Sequence, residues 1–172
     1  MKFRLTPESA PGKRHFSGQR AQKKGQAFET LIEESAAQQS AIVEVEMLPK
    51  MGAFRVAGGK LVTCKICCDG FGSFINGPAI AFDAKATGGE SLPASMLKEH
   101  QLDFLRRYDR TGQIAGLLVK AEALGLFLWR DIKRIDGDAM PFKRDGALLS
   151  SWHVLGPVSG WVDFKALREI YE

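Results

Sequence analysis

Hydrophobic and polar positions recur along this chain with two different periods, and the changes of period outline its elements. Over 25–39, Phe28, Leu31, Ile32, Ser35 and Ala36 recur at helical spacing while Glu33, Glu34, Gln38 and Gln39 fall elsewhere. That spacing predicts an amphipathic helix with Glu29 flanking its apolar stripe and able to reach toward a sheet. The segment 41–48, AIVEVEML, alternates apolar and acidic residues as a half-buried strand does, and Pro49 ends it. Two more apolar runs enclose the Asn76-Gly77-Pro78 turn and predict a hairpin over 69–87. A helix follows over 94–109, with Met96, Leu97, Phe104, Leu105 and Tyr108 on its apolar face and Gln101 among them. QIAGLLVKAE and ALGLFLWRDI have strand length and a short polar link, so they extend the sheet as a closely paired unit. A loop over 135–147 precedes a last helix, N-capped by Asp163, that packs through Phe164, Leu167, Ile170 and Tyr171. Helices before and after strands predict an α/β fold with a mixed central sheet.

The hairpin carries the chemistry. Side chains alternate along a strand, so Asp83 and Lys85 project to one side while Ala84 points to the other. Asp69 opens the preceding run and meets that pair at one end of the hairpin. Crowded carboxylates repel unless a positive charge separates them, and a hard divalent cation with oxygen ligands is the usual solution. A lysine beside such a cation orients or helps deprotonate a water for attack on phosphorus. The bland alternative is an Asp and a Lys on a solvated strand face.

Charge alters the picture at one end. Residues 1–24 hold seven basic residues against Glu8, a net of +6, so the other 148 residues sum to −2 of the chain's +4. Such an arm buries too little apolar surface to fold alone, which predicts disorder over 1–24 and suits a polyanion. Lys13, Arg14, Arg20, Lys23 and Lys24 are its candidate phosphate contacts. Cys64, Cys67 and Cys68 lack a second pair, and His15, His100 and His153 are scattered, so reduced thiols on a buried strand are the reading. No apolar run reaches membrane-spanning length and the N-terminus has no apolar leader core, which excludes a membrane role and predicts a cytoplasmic protein.

CDGFGSFINGPAIAFDAKAT resembles the core of the PD-(D/E)xK nuclease superfamily, most closely the RecU-type Holliday-junction resolvases, with their Asp-aromatic-x-Gly turn and acidic-Ala-Lys-x-Thr strand. KGQAFETLIEE, EHQLDFL and GWVDFKALREIYE resemble further segments in the family's order, so the likeness spans roughly residues 23–172. Cys68 departs from it by standing where the family has a hydroxyl residue, and the region between the first two strands is shorter. The resemblance implies a restriction-endonuclease-like core over 25–172, in which 49–68 forms a stalk hairpin that enters the junction. Arg55, Lys60 and Lys65 would contact DNA from that stalk, about the Gly58-Gly59 turn. It also implies that Glu29 borders or completes the metal site and that Gln101 bonds the water or phosphate beside it.

The reading is therefore a structure-specific endonuclease that resolves four-way junctions, in a bacterium or a phage-infected cell. Asp69, Asp83 and Glu29 would hold Mg²⁺, or Mn²⁺ in its place, while Lys85 and Gln101 position the attacking water. Partners are junction DNA and a second copy of the chain, since two like strands must be cut; a recombinase partner is not decided. The alternatives are another nuclease of the superfamily acting on forks or damaged duplex, and a DNA-binding protein without catalysis.

Overall fold

The computed structural model describes residues 13–48, 53–55, 61–63, 67–135 and 138–172, and side chains from residue 23 onward outside 49–66. Helix α1 spans Lys13–Gln38; the strands that follow are β1 (Val43–Met47), β2 (Ala53–Arg55), β3 (Leu61–Thr63), β4 (Gly70–Phe74), β5 (Ala79–Thr87) and β6 (Ser91–Leu92). Helix α2 (Glu99–Asp109) leads into β7 (Ile114–Ala121) and β8 (Leu126–Asp131). Short strands β9 (Met140–Pro141), β10 (Lys143–Arg144) and β11 (Ala147–Leu148) precede β12 (His153–Pro157) and helix α3 (Phe164–Glu169).

Six strands form one mixed sheet in the order β1-β4-β5-β7-β8-β12. β5 and β7 are parallel, with Asp83 beside Leu117 and Lys85 beside Val119, and the other pairs are antiparallel. A parallel pair needs a crossover, and α2 lies in that connection. The predicted α/β architecture with a mixed central sheet is the one found. β7 is buried along nearly its whole length, which is why its sequence is a continuous apolar run instead of an alternating one. The β4–β5 turn closes through the Gly77 N–H donating to the Phe74 carbonyl at 3.0 Å, with Asn76 at φ 57°. Asn accepts that left-handed conformation at little cost.

Each face of the sheet has its own core. Phe28, Ile32 and Ala36 of α1 pack with Phe164 and Leu167 of α3 on Ile80, Phe82, Leu118, Phe127 and Trp129. On the opposite face Leu102 and Leu105 of α2 cover Ala81, Ala115, Leu117 and Val119. Ser35, which the helical period put in the stripe, is buried because its hydroxyl accepts from the Val162 N–H at 3.1 Å and donates to the Leu31 carbonyl at 2.6 Å. Gln39 bonds both Val162 and Phe164, so the C-terminal end of α1 and the start of α3 are tied together.

Three expectations change. Helix α1 begins at Lys13 instead of residue 25, so half of the predicted disordered arm is helical. Arg, Gln, Lys and Ala are good helix formers, and extending an established helix avoids the cost of nucleation. The predicted 94–109 helix is divided into a 3₁₀ turn, Ala94–Met96, and α2, because Leu97 and Lys98 are extended. Met96 and Leu97 pack on the α2-side core, which draws the chain out of helical geometry. Two of the cysteines lie off the strands, Cys67 in a bend and exposed and Cys68 buried, while Cys64 falls outside the described residues. Of the predicted stalk, β2 and β3 pair antiparallel with Phe54 opposite Val62. Residues 1–12, 49–52, 56–60 and 64–66, with Lys60 and Lys65 among them, lie outside the described residues.

Candidate active site

Alternation along β5 sends Ile80 and Phe82 into the α1-side core and Asp83 and Lys85 to the α2 side. Asp83 is fully buried. Asp69 precedes β4, and its N–H donates to the Phe82 carbonyl at 3.0 Å, continuing the β4–β5 ladder by one step and setting it beside Asp83. One carboxylate oxygen of Asp69, Oδ2, then accepts from the Ala84 N–H at 2.9 Å.

The ammonium of Lys85 stands between the two acids, 2.6 Å from Asp83 Oδ2 and 3.4 Å from Asp69 Oδ2. From the other side Gln101 Nε2 donates to Asp83 Oδ1 at 2.7 Å. This gives a physical reason for an amide on the apolar face of α2: it is buried, and its donor is spent on the buried carboxylate. Burial pushes the Asp83 carboxyl up to about 7; Lys85 pulls it down and the neighbouring Asp69 raises it again. Burial also pushes the Cys68 thiol up to about 12, with Asp69, Cys67 and Asp83 adding to it, so the thiol behind Asp69 is neutral.

Two acids share one ammonium in a buried place, so the cluster keeps an excess of negative charge. Asp83 Oδ2, which faces Lys85 without hydrogen-bond geometry, and Gln101 Oε1 are buried with no hydrogen-bond partner. The adjacent carboxylate oxygens of Asp69 and Asp83 are hard donors of the kind a hard divalent cation takes.

The structure brings four of the sequence-predicted residues together, Asp69, Asp83, Lys85 and Gln101. Glu29 lies on a different element, α1. Among the described residues no three His, Cys, Asp or Glu side chains form a group able to hold a metal. Glu29 is half-buried on α1, which packs on the face opposite the one Asp83 points to, and helical periodicity alone carries no information about which face of the sheet the helix covers. Lys24 is salt-bridged to Glu122 at 2.9 Å, at the end of β7. Lys23 is exposed, Arg55 lies on β2, and the side chains of Lys13, Arg14 and Arg20 are outside the described set although their backbone is helical. Two residues that the sequence reading gave no role stand beside the site. Phe71 is one of few exposed large apolar side chains, and Tyr108, placed on the apolar face of its helix, is half-buried and stacked with Phe104 at 5.9 Å between ring centres. The period-2 rule already put Phe71 on the side of Asp69, two positions on.

The family model described as Recombination protein U matches residues 23–138, more than half of the chain. No curated protein matches the chain. Among solved structures, that of Archaeoglobus fulgidus Hjc, described as a Holliday junction resolvase from an archaeal hyperthermophile, aligns with a TM-score of 0.47 and 16% identity. That alignment covers 76% of this chain and 99% of the other.

Proposed function

The chain belongs to the recombination protein U family, and from that premise we propose that it is an endonuclease resolving four-way DNA junctions by metal-dependent phosphodiester hydrolysis. The observation that carries the reading is the convergence of Asp69, Asp83 and Lys85, with Gln101 fixing Asp83 from behind. Asp69 and Asp83 would hold the divalent cation, Mg²⁺ or Mn²⁺, which supplies charge to stabilise the pentacovalent transition state and to activate water.

The protein's own groups divide the remaining work. Lys85, held by both acids, directs N–H donors at the attacking water and offsets charge that develops on the phosphate oxygens. Gln101 holds the plane of the Asp83 carboxylate through Oδ1, and its own Oε1 is left to accept from that water. The Ala84 N–H fixes Asp69 in the same way from the backbone. These supports matter because a displacement of about 1 Å in a catalytic group costs on the order of a hundredfold in rate.

DNA contacts would come from the basic half of α1 and from the β2–β3 hairpin. The packed half of α1 carries Phe28 to Ala36, and Lys24 reaches Glu122 just beyond β7, the strand that runs beside Lys85. The preceding turns, with Lys13, Arg14, Arg20 and Lys23, therefore leave the sheet at its catalytic end, where phosphates must approach. Arg55, Lys60 and Lys65, basic positions of the 49–68 segment in the sequence, would add further phosphate contacts. In domain terms this is one nuclease domain over 25–172 with a basic extension before it. No helix of the described residues is long and apolar enough to cross a membrane, and a DNA substrate puts the enzyme in the cytoplasm of a bacterium or of a phage-infected cell.

The test is incubation with a labelled four-way junction and a linear duplex of matched sequence, in Mg²⁺ or EDTA. Paired symmetric nicks in the junction alone, absent in EDTA, are expected. Equal cutting of duplex or of forks would move the substrate assignment elsewhere in the superfamily.

A further inference from the structure

A groove of about 500 Å³ opens on the same side of the sheet as Asp69 and Asp83, lined by Glu44, Glu46, Phe71, Ser73 and Tyr108. Register explains its composition. Phe71 pairs with Glu46 across β1–β4 and Ser73 with Glu44, so these four side chains share a face, and Tyr108 of α2 forms the wall. Opposite partners in such a ladder stand about 5 Å apart at Cβ, so the Glu46 carboxylate lies beside the Phe71 ring. Phe71 is 40% exposed, an unusual state for a phenylalanine so near a buried charged cluster.

We propose that this groove is a nucleobase site, which takes a base unstacked at the branch point and prefers one that carries an exocyclic amino group. The inference rests on the junction-nuclease reading above and deepens it. Three features select a base over other occupants. Phe71 offers an open aromatic face, and bases stack on such faces whatever their identity. Glu44 and Glu46 repel phosphate but accept hydrogen bonds from the amino groups of cytosine or adenine, which thymine lacks on its corresponding edge. Continuity supplies the third: Phe71 lies two residues from Asp69 along one strand face, about 7 Å. A nucleotide whose phosphate sits at Asp69 and Asp83 thus has its base within reach of Phe71. Extruding a base costs least where stacking is already interrupted, as it is at a branch point.

The experiment uses four junctions that differ only in the nucleotide next to the cut, with single-turnover rates for the wild type, Phe71→Ala, Phe71→Trp and Glu46→Gln. The wild type is expected to cut the cytosine or adenine junction about tenfold faster than the thymine one, the low end of discrimination by a good base contact. Phe71→Ala should slow all four about tenfold, in line with loss of one stacking platform. Phe71→Trp should restore them. Glu46→Gln should flatten the preference by lowering the cytosine and adenine rates toward the thymine rate. Because both positions are exposed, thermal melts should barely move, which separates lost function from lost fold. Wild-type rates and preferences in both Phe71→Ala and Glu46→Gln would overturn the base site while the nuclease reading stands. So would a Phe71→Ala protein that sediments lighter than the wild type, which would make the groove an interface between copies. A wild-type enzyme that cuts no junction at all brings down the nuclease reading, and the base site with it.

Discussion

Asp83 is held at three points: by burial, by the 2.6 Å approach of Lys85 and by the 2.7 Å hydrogen bond from Gln101. Asp83→Asn keeps the shape and removes the charge, so cleavage should vanish while junction affinity in a shift assay changes little, since phosphate contacts come from basic residues. Substantial cleavage by that variant would remove Asp83 from the metal site. Lys85→Ala should cut at least about a hundredfold more slowly, the scale of losing one preorganised charge. Gln101→Ala frees Asp83 Oδ1 from its donor and should slow cleavage by a smaller factor, about tenfold, in single-turnover assays with unchanged binding. The two described thiols give a check on packing around these residues. Cys67 is exposed and Cys68 buried, so an alkylating reagent at pH 8 should modify Cys67 in the native protein and reach Cys68 only after denaturation.

At the scale of elements, β1 and β4 approach so closely at Gly72 that a Cβ there would lie 1.9 Å from the Glu44 carbonyl oxygen. Gly72→Ala should therefore force the edge strand away and lower the urea midpoint, an effect that a surface strand glycine would not show. Helix α3 starts with the Asp163 side chain accepting from the Ala166 N–H at 2.9 Å. Asp163→Ala should cost about 1 kcal/mol in urea unfolding, the usual value of a lost N-cap. On β12, burial and then Arg134 hold the His153 imidazole below its ordinary pKa. Its neutral form is thus favoured in the folded state, and that share of stability is present above the unfolded value near 6.5 and lost as pH falls through the lower folded one. His153→Gln should weaken this acid-side loss in melts taken between pH 7 and 5.

For the whole molecule, the question is how one site per chain serves a two-fold symmetric junction. Two strands of like polarity must be cut, and one Asp69/Asp83/Lys85 cluster, acting as proposed, would hydrolyse one bond at a time. A closed homodimer matches that symmetry. Sedimentation should give about twice 18.9 kDa without DNA, and a mixed dimer with one Asp83→Asn subunit should nick junctions without resolving them. A monomer on and off DNA would point to single-nick repair chemistry instead. The basic half of α1 bears on the same scale. Changing Lys13, Arg14 and Arg20 to Gln should make the slope of log affinity against log salt shallower by about 0.9 for each phosphate no longer neutralised. An unchanged slope would mean that this half of the helix does not touch DNA.

Local pattern by itself determined five of the six strands of the main sheet, the turn and the four side chains that converge; it gave no sign of β12. Period-2 alternation put Asp83 and Lys85 on one side, the Asn76-Gly77-Pro78 turn brought Asp69 back to them, and Gln101 stood out as an amide in an apolar stripe. These are legible because they depend on neighbours in the chain or across one hairpin. Tertiary packing decided the rest. Which face α1 covers follows from how its stripe meets Phe82 and Phe127, so the surroundings of Glu29 were set by packing and not by the helical period. The break before α2 follows from the burial of Met96 and Leu97, and the groove at Phe71 from the register of β1 on β4 and the placement of Tyr108 across from it. Each is a meeting of residues distant in sequence, set by which apolar faces pack together, and no local period encodes it.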